Sequence, residues 1–131
     1  MSLKVYTGRR GKFLNEDFDP LRCDLELDSP ILTDDELAKV KALDGMDATV
    51  SHGMSSATLS TLFPIAKGAE GLVKALTSLC EQAEAVIEEG HALLILSDRG
   101  VNKTMAPIPA LLAVSTVHHH LIKTGKRTQV G

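Results

Sequence analysis

Leu93-Leu94-Ile95-Leu96-Ser97-Asp98-Arg99-Gly100-Val101 is the stretch whose reading decides the fold. Residues 92–96 form an uninterrupted apolar run bounded by turn residues. That is the pattern of a strand covered on both faces, as in a parallel sheet. Immediately downstream, Pro107-Ile108-Pro109-Ala110-Leu111-Leu112-Ala113 and Val117-His118-His119-His120-Leu121-Ile122 carry helical spacing. Pro107 and Pro109 suit the first turn of that helix, where a missing N–H costs no hydrogen bond, and Gly125 can stop it just past Lys123.

Working outward, Leu72, Leu76, Leu79, Cys80, Ala83, Val86 and Ile87 recur at steps of three and four. They form one stripe of an amphipathic helix beginning near Ala69 and ended by Gly90 in the left-handed conformation. Thr33-Asp34-Asp35-Glu36 is a capping box, so a short helix over residues 34–43 is expected. Leu21, Cys23, Leu25 and Leu27 alternate with polar residues, the period of a half-buried strand or extended arm. Residues 47–52 read as a further strand and residues 53–58 as a loop; residues 127–131 read as the start of another strand. Strands alternating with helices predict an α/β fold, a parallel sheet with right-handed βαβ crossovers. With no helix to cover the last strand, the domain reads as incomplete. Residues 1–20, with Gly8, Gly11, Asn15 and Pro20 and no sustained period, form an extended lead-in to the domain at 21–131.

The 131 residues, 44% hydrophobic and 24% charged, suit one globular domain. One Tyr, three Phe and no Trp leave its core to aliphatic side chains. A net charge of −3 argues against nucleic acid as a partner, because phosphate binding calls for a basic excess. A basic lead (Lys4, Arg9, Arg10, Lys12) followed by an acidic run (Glu16, Asp17, Asp19, Asp24) reads as two solvated segments. Neither a signal peptide nor a membrane-length apolar run is present. Cys23 and Cys80 share no metal spacing, and free thiols in a reducing cytoplasm are expected.

Three adjacent histidines invite a metal, but successive helical side chains point about 100° apart and cannot converge on one ion. On a helical wheel His118 joins the stripe of Leu111, Val114, Leu121 and Ile122; His119 falls with Ser115 and Lys123, and His120 near the other margin. Structural or interfacial roles are expected for them. Asp98 and Arg99 sit where ligands gather in open α/β sheets, at the carboxyl end of a parallel strand. With Lys103 and a helix amino terminus nearby, they form a candidate anion site, against the simpler reading of a salt-bridged turn. No glycine-rich phosphate loop accompanies them. Cys80, on an apolar helix face, reads as a small core residue, and no catalytic, cofactor-binding or metal-binding residue is assigned.

Leu25-Glu26-Leu27-Asp28-Ser29-Pro30-Ile31-Leu32-Thr33-Asp34-Asp35-Glu36-Leu37 and Phe63-Pro64-Ile65-Ala66-Lys67-Gly68-Ala69-Glu70-Gly71-Leu72 form an ordered series of words. The series continues with the 94–101 stretch, Pro107-Ile108-Pro109 and the three histidines. Over residues 20–131 it resembles the central domain of glutamate synthase; residues 49–62 depart from the family's usual passage. The resemblance implies a segment of a large oxidoreductase that converts glutamine, 2-oxoglutarate and reductant into two glutamates. In that family an amidotransferase domain releases ammonia, an FMN domain with an iron–sulfur cluster reduces the imine, and the central domain joins the two and helps to enclose the ammonia path. By the same resemblance this chain is scaffold and interface, with those two domains as partners and with FMN and the cluster held elsewhere. None of the family's catalytic motifs occurs, so the isolated chain is expected to be inactive. An unsatisfied sheet edge and an apolar helix face predict its self-association. The alternative class is a free-standing anion-binding α/β module built on the Ser97-Asp98-Arg99-Gly100 turn.

Overall fold

The computed structural model describes residues 3–9, 24–43 and 54–131, so the expected strand at 47–52 and residues 21–23 of the alternating segment lie outside it. The chain divides into two compact units: residues 1–57 with 90–94 and 128–131, and residues 58–89 with 95–127.

In the first unit, β1 (Val5–Gly8) pairs antiparallel with β2 (Asp24–Leu27), Val5 opposite Leu27 and Gly8 opposite Asp24. The expected alternation holds over the described part, with Leu25 and Leu27 half-buried and Asp24 and Glu26 exposed. α1 (Asp34–Ala42) opens on the expected capping box. The Glu36 amide donates to Thr33 Oγ1 at 3.3 Å and the Thr33 amide donates to Glu36 Oε2 at 2.7 Å, which satisfies two helix-end donors reciprocally. The Thr33 amide, and then the Thr33 hydroxyl, hold the Glu36 carboxyl below its usual range. Met54, Ala92 and Leu93 form the buried cluster of this unit, with Leu25, Val40 and Leu43 packed against it. Buried Ser56 is satisfied by donating to the Val40 carbonyl at 3.0 Å.

β3 (Ser56–Ser60) and β5 (Leu93–Ser97) form the parallel pair that the 92–96 run predicts. The Leu93 amide donates to the Ser55 carbonyl at 3.0 Å, and the Thr61 amide donates to the Ser97 carbonyl at 2.9 Å, so both strands run in one direction. β3 occupies part of the segment expected to be a loop: its two-residue alternation, Ser56 and Leu59 apart, is irregular, and pairing with β5 decides its conformation. Only Leu93 of β5 is fully buried, so the strand is less covered than its composition implies.

In the second unit, β4 (Leu62–Pro64) leads through a 3-10 turn (Ile65–Lys67) into α2 (Gly68–Glu88). β6 (Met105–Pro107) pairs antiparallel with β4, Leu62 opposite Pro107, and α3 (Ala110–Lys123) follows. Pro107 thus ends a strand and Pro109 caps α3, which corrects the placement of both in the helix. The reason is local: a residue before proline is pushed out of the helical region, and Ala106 and Ile108 both precede one. Ile108 uses its amide to donate to the Thr61 carbonyl at 2.7 Å. α2 buries Leu79, Cys80, Ala83 and Ile87, α3 buries Ala113, Val117 and Leu121, and the two helices pack together. Among the described residues no helix is long and apolar enough to cross a membrane.

The expected strand at 127–131 is instead a 3-10 turn (Arg127–Gln129) followed by buried Val130. Gly131 then donates to the Ala92 carbonyl at 2.8 Å and accepts from the Leu94 amide at 3.1 Å, the hydrogen-bond pattern of a parallel neighbour of β5.

Candidate interhelical site

Glu84 and Glu88 are one helical turn apart and therefore share a face of α2. The end of α3 supplies their partners. Gly125, at φ 71°, lets the chain reverse: the Gly125 amide donates to the Ile122 carbonyl at 3.1 Å and the Lys126 amide to the Leu121 carbonyl at 2.8 Å. This is a Schellman closure, and it carries Lys126 back onto α2. Lys126 Nζ donates to Glu84 Oε2 at 2.8 Å and to Glu88 Oε1 at 2.6 Å. On its other oxygen Glu84 pairs with His120 Nε2.

Lys126 and Glu84 are only 20% and 27% exposed, so the pair is partly shielded from water. The ammonium of Lys126, and next the ring of His120, hold the Glu84 carboxyl below its usual range. Glu84 and Glu88 in turn push the Lys126 ammonium up. Burial, and then the charges of Glu84 and Glu81, push the Cys80 thiol up. Chemically this is a clamp: a carboxylate kept ionised between two nitrogen partners is a poor proton donor, and a neutral buried thiol is a poor nucleophile. It pins the end of α3 to α2.

The structure places His120 in this clamp, half-buried, and leaves His119 exposed with its ring edge-on to His118 at 5.4 Å. His118 is exposed, on the arc of Leu111, Val114 and Ile122 where the helical wheel places it, and accepts from Arg127 Nε at 2.9 Å. α3 turns Ala113, Val117 and Leu121 inward, leaving Leu111, Val114 and Ile122 at 84%, 54% and 51% exposure. Both arcs are apolar, and packing on α2 selects the one with the small residue Ala113, which permits close approach.

Asp98, Arg99 and Lys103 all lie exposed after β5. Their loop is closed by its own polar groups: Ser97 Oγ accepts from the Arg99 amide at 3.3 Å, and Asn102 Oδ1 accepts from the Thr104 and Met105 amides at 2.8 and 2.9 Å. Glu84, Glu88 and Lys126 were not singled out by sequence reasoning. Their visible signal is the one-turn acidic spacing on a long helix and a lysine directly after the terminating glycine.

Iron–sulfur clusters are held by four Cys thiolates, or by two with two histidines in the Rieske type. This chain has two cysteines, of which Cys80 is buried on α2, and among the described residues no cluster of three His, Cys, Asp or Glu is placed to hold a metal. The residues present do not fit an iron–sulfur cluster.

The family model described as "Glutamate synthase central domain" matches residues 1–131. The chain is similar to the chloroplastic ferredoxin-dependent glutamate synthase of Oryza sativa subsp. japonica, 39% identical over 97% of this chain and 8% of that protein. It is 36% identical to the glutamate synthase [NADPH] large chain of Azospirillum brasilense, over 98% of this chain and 8% of that one. It is 30% identical to glutamate synthase [NADH] of Schizosaccharomyces pombe, over 99% of this chain and 6% of that protein.

Proposed function

The chain belongs to the glutamate synthase central-domain family, and from that premise we propose that it is a structural segment of a glutamate synthase, joining the amidotransferase and FMN domains and helping to enclose the path of ammonia. The observation that carries this reading is one of proportion: the whole chain aligns, yet it spans only 6–8% of relatives such as the rice, Azospirillum and fission-yeast enzymes. Those relatives name three different reductants, ferredoxin, NADPH and NADH, and one product. A segment similar to all of them suits the part of the reaction they have in common, the passage of ammonia to the site where glutamate forms, rather than entry of electrons.

In this reading the parent enzyme carries out glutamine hydrolysis, imine formation and reduction to glutamate, with FMN and the iron–sulfur cluster bound outside this segment, in a reducing compartment. Among the described residues the Cys80 thiol is pushed up by burial and the Glu84 carboxylate is held in the clamp with Lys126, which suits a structural role. The segment's contribution is a rigid α2–α3 pair at a fixed orientation.

The test is the mass of the native polypeptide in its source cells, read with an antibody raised against residues 24–43 and 54–131. A product many times heavier than 14.0 kDa, with glutamine-dependent glutamate formation in the captured fraction, is expected. A product of about that mass overturns the reading. Saturable calorimetric heat with phosphate, glutamate or 2-oxoglutarate on the free chain, abolished in Arg99→Ala, would establish the anion-binding alternative instead.

A further inference from the structure

α3 carries two apolar arcs and uses one. Ala113, Val117 and Leu121 are buried, while Leu111, Val114 and Ile122 stand exposed on an adjoining arc of the same helix, with exposed His118 at the turn between Val114 and Ile122. Three large apolar side chains exposed on one helix arc are grouped, unlike the singly scattered ones normal for a surface. The charge around it is one-sided. Residues 99–131 contain no Asp or Glu, although the chain has 17 acidic residues; His118 within the arc accepts from Arg127 Nε, and exposed Lys123 directly follows Ile122. The acids that reach this helix, Glu84 and Glu88, are spent on Lys126 at the opposite side.

We infer that the Leu111–Val114–Ile122 face of α3 is the docking surface for another segment of the same glutamate synthase polypeptide, one that presents apolar side chains edged by a carboxylate opposite Lys123. This rests on the reading of the chain as part of a longer enzyme and adds to it which face is covered and by what chemistry. Two observations select the occupant. The relatives extend over more than ten times the length matched here, so chain able to cover the face is present in them. Complementarity to an acid-free face demands an acidic rim, because like charges facing across an interface are disfavoured.

The experiment uses the full-length parent enzyme, once its mass has been established as above. Cysteine is introduced at Leu111 or Ile122, and for comparison at Val101 or Val73, which are 54% and 62% exposed. Maleimide labelling is followed in the native state and normalised to the unfolded state. Leu111→Cys and Ile122→Cys are expected to label at least tenfold more slowly than the comparison sites. Labelling at the comparison rate overturns the docking face while leaving the reading of the longer enzyme intact. A zero-length carbodiimide cross-link then identifies the occupant. Lys123 joined to an Asp or Glu outside these 131 residues supports the inference; Lys123 joined to an acid of a second copy of this segment overturns it. Where the cysteine variants do not accumulate, the cross-link on the unaltered enzyme gives the same decision.

Discussion

Replacing Gly71 with alanine should destabilise the protein, against the ordinary rule for helices. Gly71 is buried in the first turn of α2, and by propensity alone alanine there would gain about 1 kcal/mol. The approach to the helix removes that gain. Gly68 adopts φ 51° and ψ −139°, which folds the preceding turn back across the helix start. A Cβ on residue 71 would then lie 2.7 Å from Lys67 Cβ and 3.2 Å from the Pro64 carbonyl oxygen. The comfortable separation between carbons is about 3.5–4.0 Å. Neither neighbour is the free end of a side chain, so relief requires the main chain to move, the kind of overpacking that costs about 1–3 kcal/mol. Subtracting the propensity gain leaves a net loss of about 1 kcal/mol, or a fall of about 3–5 °C in Tm for a domain of this size. Thermal unfolding followed by far-UV circular dichroism measures it. Lys67→Gly removes one of the two clashing atoms, so the double variant should recover part of the loss, a positive coupling of about 0.5–1 kcal/mol. A Gly71→Ala protein that melts higher than the parent, or a pair that behaves additively, would refute the account of this turn.

Other outcomes follow from the same structure. Leu79 is 1% exposed at the centre of α2, so Leu79→Ala should lose about 2–5 kcal/mol, whereas Val73→Ala, on the 62%-exposed side, should stay within about 0.5 kcal/mol by chemical denaturation. Thr33→Ala removes the acceptor for the Glu36 amide and should cost about 0.5–2 kcal/mol, with loss of amide protection confined to the start of α1. The clamp gives the stability profile two limbs. Because the Glu84 carboxyl is depressed in the folded chain, its contribution is present above the unfolded value, about 4.3, and disappears as pH falls through the lower folded value. Because the Lys126 ammonium is raised, its contribution is present below about 10.4 and disappears as pH rises through the higher folded value. Lys126→Met should flatten both limbs in melting curves taken across pH; unchanged limbs would place the titration elsewhere.

Much of this fold is legible where one short-range rule acts alone. The 33–36 capping box, the period of α2 and the glycines that end α2 and α3 are local chemistry, and each appears at its expected place. The readings that fail are those in which two rules compete. Pro107 and Pro109 satisfy a helix-start rule, yet they also force Ala106 and Ile108 to be extended, and the available partner strand β4 lets the second rule prevail. Residues 127–129 have no ladder partner of their own and coil into a 3-10 turn, so that only Gly131 reaches β5. β3 has an irregular apolar pattern because its conformation is set by pairing with a strand more than thirty residues away.

The clamp was invisible for a different reason: it joins residues 36 to 42 positions apart, and its members are charges that sequence patterning assigns to solvent. The stripe on α3 is the converse. Leu111, Val114, Leu121 and Ile122 share one stripe of the helical wheel. Within these residues only Leu121 finds cover, because packing on α2 favours the neighbouring arc through Ala113 and Val117. An apolar period that the chain's own core leaves unused is therefore a statement about the molecule's surroundings. Periodicity identifies which side chains favour burial; only the structure identifies which of them still require a partner.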